Sequence, residues 1–139
     1  ASLMASADNG HAIHPNHPEK ADKANYPVMN GGVVIKYSAN QKYTTDAVSA
    51  GLFKAICAGA GVPVQTFINR SDVLGGSTLG NISGSHVALN TVDIGLAQLA
   101  MHSPYETAGN QDTEHLLNAM KALYAANLRC TADGEYEVN

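Results

Sequence analysis

Residues 33–37, Val33-Val34-Ile35-Lys36-Tyr37, form the stretch that decides the fold of this chain. Consecutive β-branched residues followed by an aromatic one are typical of a β-strand. Thr45 and Asp46 can then cap a helix, because apolar side chains recur after them at helical spacing until Gly59 and Gly61. Residues 64–68 are the next strand. A strand, a helix and a strand in this order favour a parallel sheet covered by helices.

The pattern continues on both sides of this unit. Residues 2–7 predict a short buried strand and residues 91–95 predict a fourth one. A glycine-rich turn at 74–80 leads into a short helix through Ile82, Val87 and Ala88. Asp112 or Thr113 is expected to cap a last helix with one apolar face, formed by Leu116, Leu117, Met120, Leu123 and Tyr124. The predicted fold class is therefore α/β, with a largely parallel sheet covered by helices.

Two further segments carry no periodic pattern. Residues 11–32 are rich in proline, asparagine and glycine, and a long stretch of this kind is usually a functional loop. Residues 133–139 form a polar tail. The N-terminus opens inside a predicted strand, without an initiator methionine or the basic region of a signal peptide. We therefore expect a piece of a longer protein.

Composition narrows the classes of function. A chain of 139 residues that is 45% hydrophobic fits one globular domain with a core. A net charge of -4, with lysine and arginine scattered, argues against a nucleic-acid-binding surface. No run approaches the roughly 18 apolar residues of a membrane span. Two cysteines without metal-binding or disulfide spacing favour a reducing, cytoplasmic location.

Asp8 and His102 are the candidate metal ligands. Each follows an apolar stretch, at the point where a parallel strand delivers a side chain to a cleft, and Asp72 has a similar position. A carboxylate and an imidazole are ligands that zinc takes, but zinc usually has three or four protein ligands. Taken alone, Asp8 is more simply a turn cap, and for His102 a structural role and a ligand role are equally favoured.

Two other motifs each have two interpretations. His11, His14 and His17 stand three residues apart, so their imidazoles either converge on a metal or bond to backbone and solvent. Bonding to backbone and solvent is the favoured interpretation. The turn through Gly75, Gly76, Ser77 and Thr78 either binds an anion through backbone N–H groups or is only a tight connection to a helix.

A family resemblance runs along most of the chain. Residues 6–16, Ser-Ala-Asp-Asn-Gly-His-Ala-Ile-His-Pro-Asn, are similar to the Ser-Ala-Asp-x-x-His-Ala-x-His-Pro-Asn signature of the M18 zinc aminopeptidases, the aspartyl aminopeptidases. Further matching blocks follow in order at residues 32–36, 41–43, 62–65, 70–72, 76–80 and 97–103. Several ordered blocks are far more specific than any single motif.

The resemblance implies a role for each matching residue. Asp8 would bind one zinc ion and His102 the other. Lys36 and Tyr43 would line the substrate pocket, the lysine facing an acidic side chain. The remaining matches belong to a turn beside the site and to supporting positions: Gly76, Ser77 and Thr78, and then His11 and His14.

The resemblance also implies what the complete protein is. It would be a co-catalytic zinc aminopeptidase with two Zn²⁺ per site, which removes N-terminal, preferably acidic, residues from peptides and forms a homo-oligomer. Residues 1–139 would be the C-terminal portion of its α/β/α catalytic domain. The general-base glutamate, the other metal ligands and an inserted dimerisation domain would lie outside this chain.

Departures from the family pattern concern the pocket. Val73-Leu74-Gly75 stands where the family usually has a cysteine after proline, Asn81 where proline is common, and Asn9-Gly10 where Met-Ala is usual. These differences bear on substrate preference more than on metal chemistry. The alternative to the enzyme is a non-catalytic α/β fragment that serves core formation and subunit contact.

Overall fold

The computed structural model describes residues 1–139, which form nine strands and three α-helices. The strands are β1 (Leu3–Ala7), β2 (Gly10–His11), β3 (Val33–Tyr37), β4 (Val64–Ile68), β5 (Asn90–Gly95), β6 (Ala97–Leu99), β7 (Thr107–Ala108), β8 (Leu128–Ala132) and β9 (Glu135–Val138). The helices are α1 (Ala47–Gly59), α2 (Leu79–His86) and α3 (Asn110–Ala125), with one short 3-10 turn at Pro18–Lys20.

The main sheet has four strands in the order β1-β5-β3-β4. The β1–β5 and β3–β4 pairs are parallel, whereas the central β3–β5 pair is antiparallel. The α/β class and the mostly parallel sheet are therefore confirmed. β1 pairs with a strand far along the chain, and the register of this pair places Ser6 opposite Asp93.

The two faces of this sheet differ in chemistry, since successive side chains of a strand point to opposite sides. We call one side the helix face: Val33, Ile35, Val92 and Ile94 pack there with Phe53 of α1 in a cluster that is fully buried. α1 and α3 cover it.

We call the other side of the sheet the site face. It carries Ser6, Lys36 and Asp93, and α2 lies over its β1–β5 end. The result is three layers, with helices on both sides of the sheet.

Local chemistry explains where α1 begins and ends. Asp46 is its N-cap, because the Asp46 carboxylate accepts a 2.7 Å hydrogen bond from the Ser49 amide and the Ser49 hydroxyl accepts one of 3.0 Å from the Asp46 amide. Gly61, at φ 67°, turns the chain after the helix. The predicted cap and stop are both confirmed.

The boundaries of the other two helices differ from the predictions. α2 ends at His86, so Val87 and Ala88 lie outside it. α3 begins at Asn110, and Asp112 lies in its first turn instead of capping it. The reason is that the buried Asp112 carboxylate accepts hydrogen bonds from the backbone amides of Asn30 and Gly32, at 2.6 and 2.9 Å.

The predicted apolar face of α3 is only partly buried. Leu116 and Met120 pack against the core, and Ala119 is fully buried there. Leu117 and Tyr124, expected on the same face, are exposed. The helix therefore buries a narrower stripe than the spacing of its apolar residues suggested.

The tail is more regular than its polar sequence suggested. β8 and β9 pair as an antiparallel hairpin, turning at Gly134, whose φ is 77°. A second small sheet joins β2, β6 and β7. None of the helices is long and apolar enough to cross a bilayer.

Candidate active site

Asp8 leaves the end of β1 and crosses very close to β5. Its backbone amide donates a 2.9 Å hydrogen bond to the Ile94 carbonyl. A Cβ atom at Gly95 would lie 1.9 Å from the Asp8 carbonyl oxygen, so only glycine fits at that position. The Asp8 side chain is 59% exposed. The strand end therefore presents a carboxylate to solvent, as predicted.

Lys36 is almost completely buried beneath Asp8, with 1% of its side chain exposed. Its Nζ atom lies 3.5 Å from Asp8 Oδ2, 3.4 Å from the Asn9 carbonyl oxygen and 5.0 Å from the centre of the Tyr43 ring. Burial lowers the pKa of Lys36 below its ordinary value, while the negative charges of Asp8 and Asp93 act in the opposite direction.

Tyr43 supports Lys36 from the adjoining segment. Its side chain is buried, its ring tilts against Phe67 of β4, and its hydroxyl accepts a 3.4 Å hydrogen bond from Asn69. The neighbouring Lys42 donates to the Gly75 carbonyl at 2.9 Å. These contacts connect the Tyr43 segment to β4 and to the glycine-rich turn.

The turn at Gly76, Ser77 and Thr78 faces Asp8 across a cleft. We call this cavity, of about 600 Å³, the Asp8 cleft; the end of β1 forms one wall and Ser77, Thr78 and the start of α2 form the other. Asp8 and the turn are thus brought together. Nothing lies within 4 Å of where a Cβ of Gly76 would stand, so the turn is open there.

Asp93 is a member of this region that the sequence reasoning missed. It is 0% exposed in the middle of β5, and its carboxylate accepts a 2.6 Å hydrogen bond from the Thr78 hydroxyl. Thr78 precedes α2 as its N-cap, yet its hydroxyl makes no capping bond. The available signal was a single charged residue inside an apolar strand, because a buried charge requires partners.

His102 lies in a turn with unusual backbone geometry after β6. Ala100 and His102 both have positive φ values, 53° and 73°, a conformation that is uncommon for residues with a side chain. The His102 amide donates to the Glu106 carboxylate, and the imidazole is exposed. The turn therefore holds the ring outside the packed protein.

His11 lies near His102 because β2 pairs with β6, which places His11 opposite Gln98. The pKa of His11 is lowered, mainly because neighbouring atoms exclude water from its ring and secondly because the His102 imidazole is nearby. His11 and His102 thus occupy one region.

His14 and His17 line a second cavity, which His11 also lines and which is separate from the Asp8 cleft. We call this space, of about 410 Å³, the histidine cavity; His11, His14, His17, Phe67 and Arg70 are among its lining residues. The His14 Nδ1 atom accepts a 3.1 Å hydrogen bond from the Asn16 amide.

The three histidines do not form a metal site, and His17 has a partner that the sequence did not reveal, the Glu19 carboxylate at 3.1 Å. Asp72, expected near Asp8, instead pairs with Arg70 at 2.9 Å on an exposed surface. Of the three histidines, His14 bonds to the backbone, as the second interpretation expected.

Comparison with known proteins identifies the family. The sequence profile of the family described as "Aminopeptidase I zinc metalloprotease (M18)" matches residues 1–124. The chain belongs to the M18 family. It is 49% identical over 126 residues to a probable M18 family aminopeptidase 2 of Pseudomonas savastanoi pv. phaseolicola. That match covers 91% of this chain and 29% of the relative, so the chain spans less than a third of the curated M18 relatives it resembles.

Solved M18 structures show the same fold. A cryo-EM structure of the Ape4 and Nbr1 complex matches with a TM-score of 0.86 at 37% identity, covering 88% of this chain and 23% of that one. The S. cerevisiae mApe1 dodecamer matches with a TM-score of 0.79 at 29% identity, covering 88% of this chain and 26% of that one.

The residues of this M18 chain fit part of a zinc site. Asp8 offers an exposed carboxylate and His102 an exposed imidazole, both of which zinc accepts. Nowhere do three His, Cys, Asp or Glu side chains converge, although zinc normally has three or four protein ligands. The donor chemistry is therefore suitable and the number of ligands is incomplete within residues 1–139.

Proposed function

We propose that the complete protein is a zinc aminopeptidase that removes N-terminal residues from peptides and prefers acidic ones. The observation that carries the proposal is a lysine ammonium group held at the base of Asp8, next to the Asp8 cleft. Membership of a zinc metalloprotease family supports the chemistry.

Lys36 is the residue that we assign to side-chain recognition. An ammonium group has three N–H donors, and two of them have partners here, the Asp8 carboxylate and the Asn9 carbonyl. The third has no hydrogen-bond partner in the chain, and we assign it to a carboxylate of the substrate. The Tyr43 ring beneath the ammonium group favours its charged form through a cation–π contact.

Asp8 and His102 are the residues that we assign to the metal, one to each of two Zn²⁺ ions. Zinc would supply a Lewis acid and a bound water whose pKa is lowered towards about 7. The chain's own contribution is to fix the two ligands. Asp8 is held by its contact with β5, and His102 by the positive-φ turn after β6.

We assign the remaining family positions to the walls of the site. Ser77 and Thr78 would lie along the substrate, because they form the side of the Asp8 cleft opposite the carboxylate, and Gly76 precedes them in the same turn. His11 would support His102 from the adjacent strand. His14 is more distant, in the wall of the histidine cavity.

Assembly and location complete the proposal. We propose a homo-oligomer, since a related M18 structure is described as a dodecamer. We propose the cytoplasm because both cysteines are free thiols, Cys57 in the core and Cys130 on the surface.

A substitution at Lys36 tests substrate recognition. In the complete protein, Lys36→Met removes the ammonium group and keeps much of the side-chain volume. A charge-assisted hydrogen bond is worth roughly 1.5–3 kcal/mol, so kcat/KM for Asp and Glu substrates should fall about ten- to a hundredfold. Activity on Leu and Ala substrates should change little.

Lys54→Met is the matched control, because Lys54 makes its cation–π contact with Tyr37, away from the Asp8 cleft. It should leave both substrate classes unaffected. Equal losses on acidic and neutral substrates in Lys36→Met would show that Lys36 supports the site generally and does not recognise the side chain.

The metal assignment has its own measurement. Asp8→Ala and His102→Ala in the complete protein should each lower the zinc content, measured by elemental analysis, and abolish activity with little loss of folded structure. Full zinc occupancy with near-normal turnover in either variant would contradict the assignment.

The 139-residue chain tested alone separates the enzyme from the non-catalytic alternative. Its metal-ligand set is incomplete, and the general-base glutamate is expected outside it, so we predict no turnover. Loss of an acid–base group alone costs about 10²–10⁴ in rate. Chelator-sensitive turnover by the chain alone would contradict this. An inactive complete protein would favour the non-catalytic interpretation.

A further inference from the structure

Asp93 has more hydrogen bonds than its place in a strand requires. Its side chain is fully buried. Oδ2 accepts hydrogen bonds from the Thr44 amide and the Thr44 hydroxyl, at 2.6 and 2.8 Å, and Oδ1 accepts the Thr78 hydroxyl at 2.6 Å. Both carboxylate oxygens are therefore engaged by short bonds, which are typical of an ionised acceptor.

The donors belong to two different segments of the proposed site. Thr44 directly follows Tyr43, the residue beneath Lys36. Thr78 ends the turn that forms one wall of the Asp8 cleft. The Asp93 backbone takes part as well, since its amide donates to the Thr45 hydroxyl at 2.8 Å. One residue of β5 thus holds both the Tyr43–Thr45 segment and the turn that ends at Thr78.

The helix that follows the turn is fitted to the same carboxylate. A Cβ atom at Gly80 would lie 2.9 Å from each Asp93 oxygen and 2.8 Å from the Thr44 hydroxyl. The first turn of α2 therefore rests directly on this group, at a distance that only glycine allows. The position of the turn relative to β5 depends on Asp93.

We infer that Asp93 is a positioning residue: its carboxylate fixes the Tyr43–Thr45 segment and the Gly76–Thr78 turn relative to each other, and so sets the shape of the substrate pocket. It does not contact the metal ligands through a hydrogen bond and is not exposed to substrate. The inference rests on the proposed function, because it assigns those two segments to substrate binding. Its effect should fall on substrate affinity and leave zinc binding intact.

A second buried carboxylate shows what a purely structural role looks like. Asp112 is equally buried and accepts two backbone amides, from Asn30 and Gly32. Its partners lie in the loop before β3, away from the Asp8 cleft. Substituting either carboxylate removes a buried charge, but only Asp93 holds segments of the proposed site.

The test uses Asp93→Asn in the complete protein. The asparagine side chain keeps the shape, its oxygen can still accept from Thr44, and its NH₂ group faces the Thr78 hydroxyl. Small misplacements of binding groups cost up to about a hundredfold, so we expect KM for an acidic aminoacyl substrate to rise about ten- to a hundredfold with a smaller change in kcat. Zinc content should stay at the wild-type value.

Hydrogen exchange gives a readout that does not depend on activity. Exchange followed by mass spectrometry should become faster in peptides covering residues 40–46 and also in those covering 74–80. Thr78→Val removes one hydroxyl and no charge, so it should loosen 74–80 alone with a smaller rise in KM. It also keeps the inference testable if Asp93→Asn does not fold.

Asp112→Asn is the control, with faster exchange near residues 28–33 and an unchanged KM. The inference is overturned if Asp93→Asn keeps the wild-type KM or the wild-type exchange in either segment, or if Asp112→Asn raises KM equally. Failure of the proposed function appears earlier, as a wild-type protein without zinc-dependent turnover. In that case the exchange measurement still decides whether Asp93 couples the two segments.

Discussion

The two faces of the main sheet are built from the same strands and have opposite chemistry. On β3, Ile35 points to the helix face and packs in a fully apolar cluster, while the next residue, Lys36, points to the site face. On β5, Val92 and Ile94 point to the helix face and Asp93 points to the site face. Neighbouring residues of one strand therefore face the apolar core and the proposed site in turn.

The two faces are stabilised by different kinds of interaction. The helix face is held by burial of apolar surface, which is strong but does not specify direction. The site face has a smaller apolar cluster around Val34 and Phe67, and beside it hydrogen bonds to buried charges, which specify geometry at a cost in stability. Apolar changes on the helix face should therefore destabilise the protein most, and changes at the buried charges of the site face should alter what it binds.

The largest effect is expected at Phe53 on the helix face. Phe53→Ala leaves a cavity among fully buried residues and should lower the free energy of unfolding by about 3–5 kcal/mol. Chemical denaturation of the complete protein followed by circular dichroism measures it. Val48→Ala, on the exposed side of α1, is the control and should change stability little. Similar losses in both would mean that the helix face is not the main source of stability.

Cysteine reactivity gives the next contrast. Burial raises the pKa of Cys57 on the helix face to about 11, so little thiolate is present at pH 8, whereas Cys130 is exposed on the β8–β9 hairpin. Iodoacetamide should modify Cys130 about a hundredfold faster or more, because burial shields the Cys57 sulfur and raises its pKa from 9.0 to about 11, which lowers its thiolate fraction about a hundredfold. Peptide mass spectrometry reads both sites, and in denaturant the two rates should converge. Fast native labelling of Cys57 would show that the core opens readily.

A smaller effect is expected where α2 rests on the site face. Gly80→Ala places a methyl group against Asp93 and Thr44 and should lower the free energy of unfolding by about 1–3 kcal/mol. Gly84→Ala lies in the same helix, where the nearest atom is 3.8 Å away, and should stabilise by about 0.4–1 kcal/mol. Melting temperatures of the two variants should therefore move in opposite directions. A shift in the same direction would disprove the close contact at Gly80.

The smallest effect is expected outside both faces, at His17. Its ion pair with Glu19 is exposed, and pairs of this kind contribute little to stability because solvent screens them. His17→Ala should therefore change neither the melting temperature nor the zinc content measurably. A loss of zinc would show that the histidine loop binds metal after all.

The main elements of the fold were predictable because their patterns are long. The bounds predicted for β3 and β4 agree with the structure, and the cap of α1 was identified from Asp46. β2, β6 and β7 were not predicted, since strands of two or three residues carry no periodic signal. The α3 cap was misplaced because Asp112 looks like a capping residue and instead binds a distant loop.

The site was predictable to the extent that strand ends were. Asp8 follows β1 as expected, whereas His102 follows β6, a strand that was not predicted, and the resemblance alone gave both residues a role. The burial of Lys36 was not foreseen, because a lysine in a strand usually indicates an exposed side. The role of Asp93 was not predicted either. Its three donors come from segments 15 and 49 residues away in sequence, and a local pattern does not reveal such partners.

The pairing of β1 with β5 has a consequence for synthesis on the ribosome. Leu3 lies opposite Asn90, so the strand that carries Asp8 cannot meet this partner until nearly ninety more residues have been added. At translation rates of about 5–20 residues per second, the delay is roughly 4–17 seconds. During that time the two carboxylates whose charges later act on Lys36, Asp8 and Asp93, belong to separate parts of a growing chain. Factors that shield nascent polypeptides therefore have several seconds in which to act on β1.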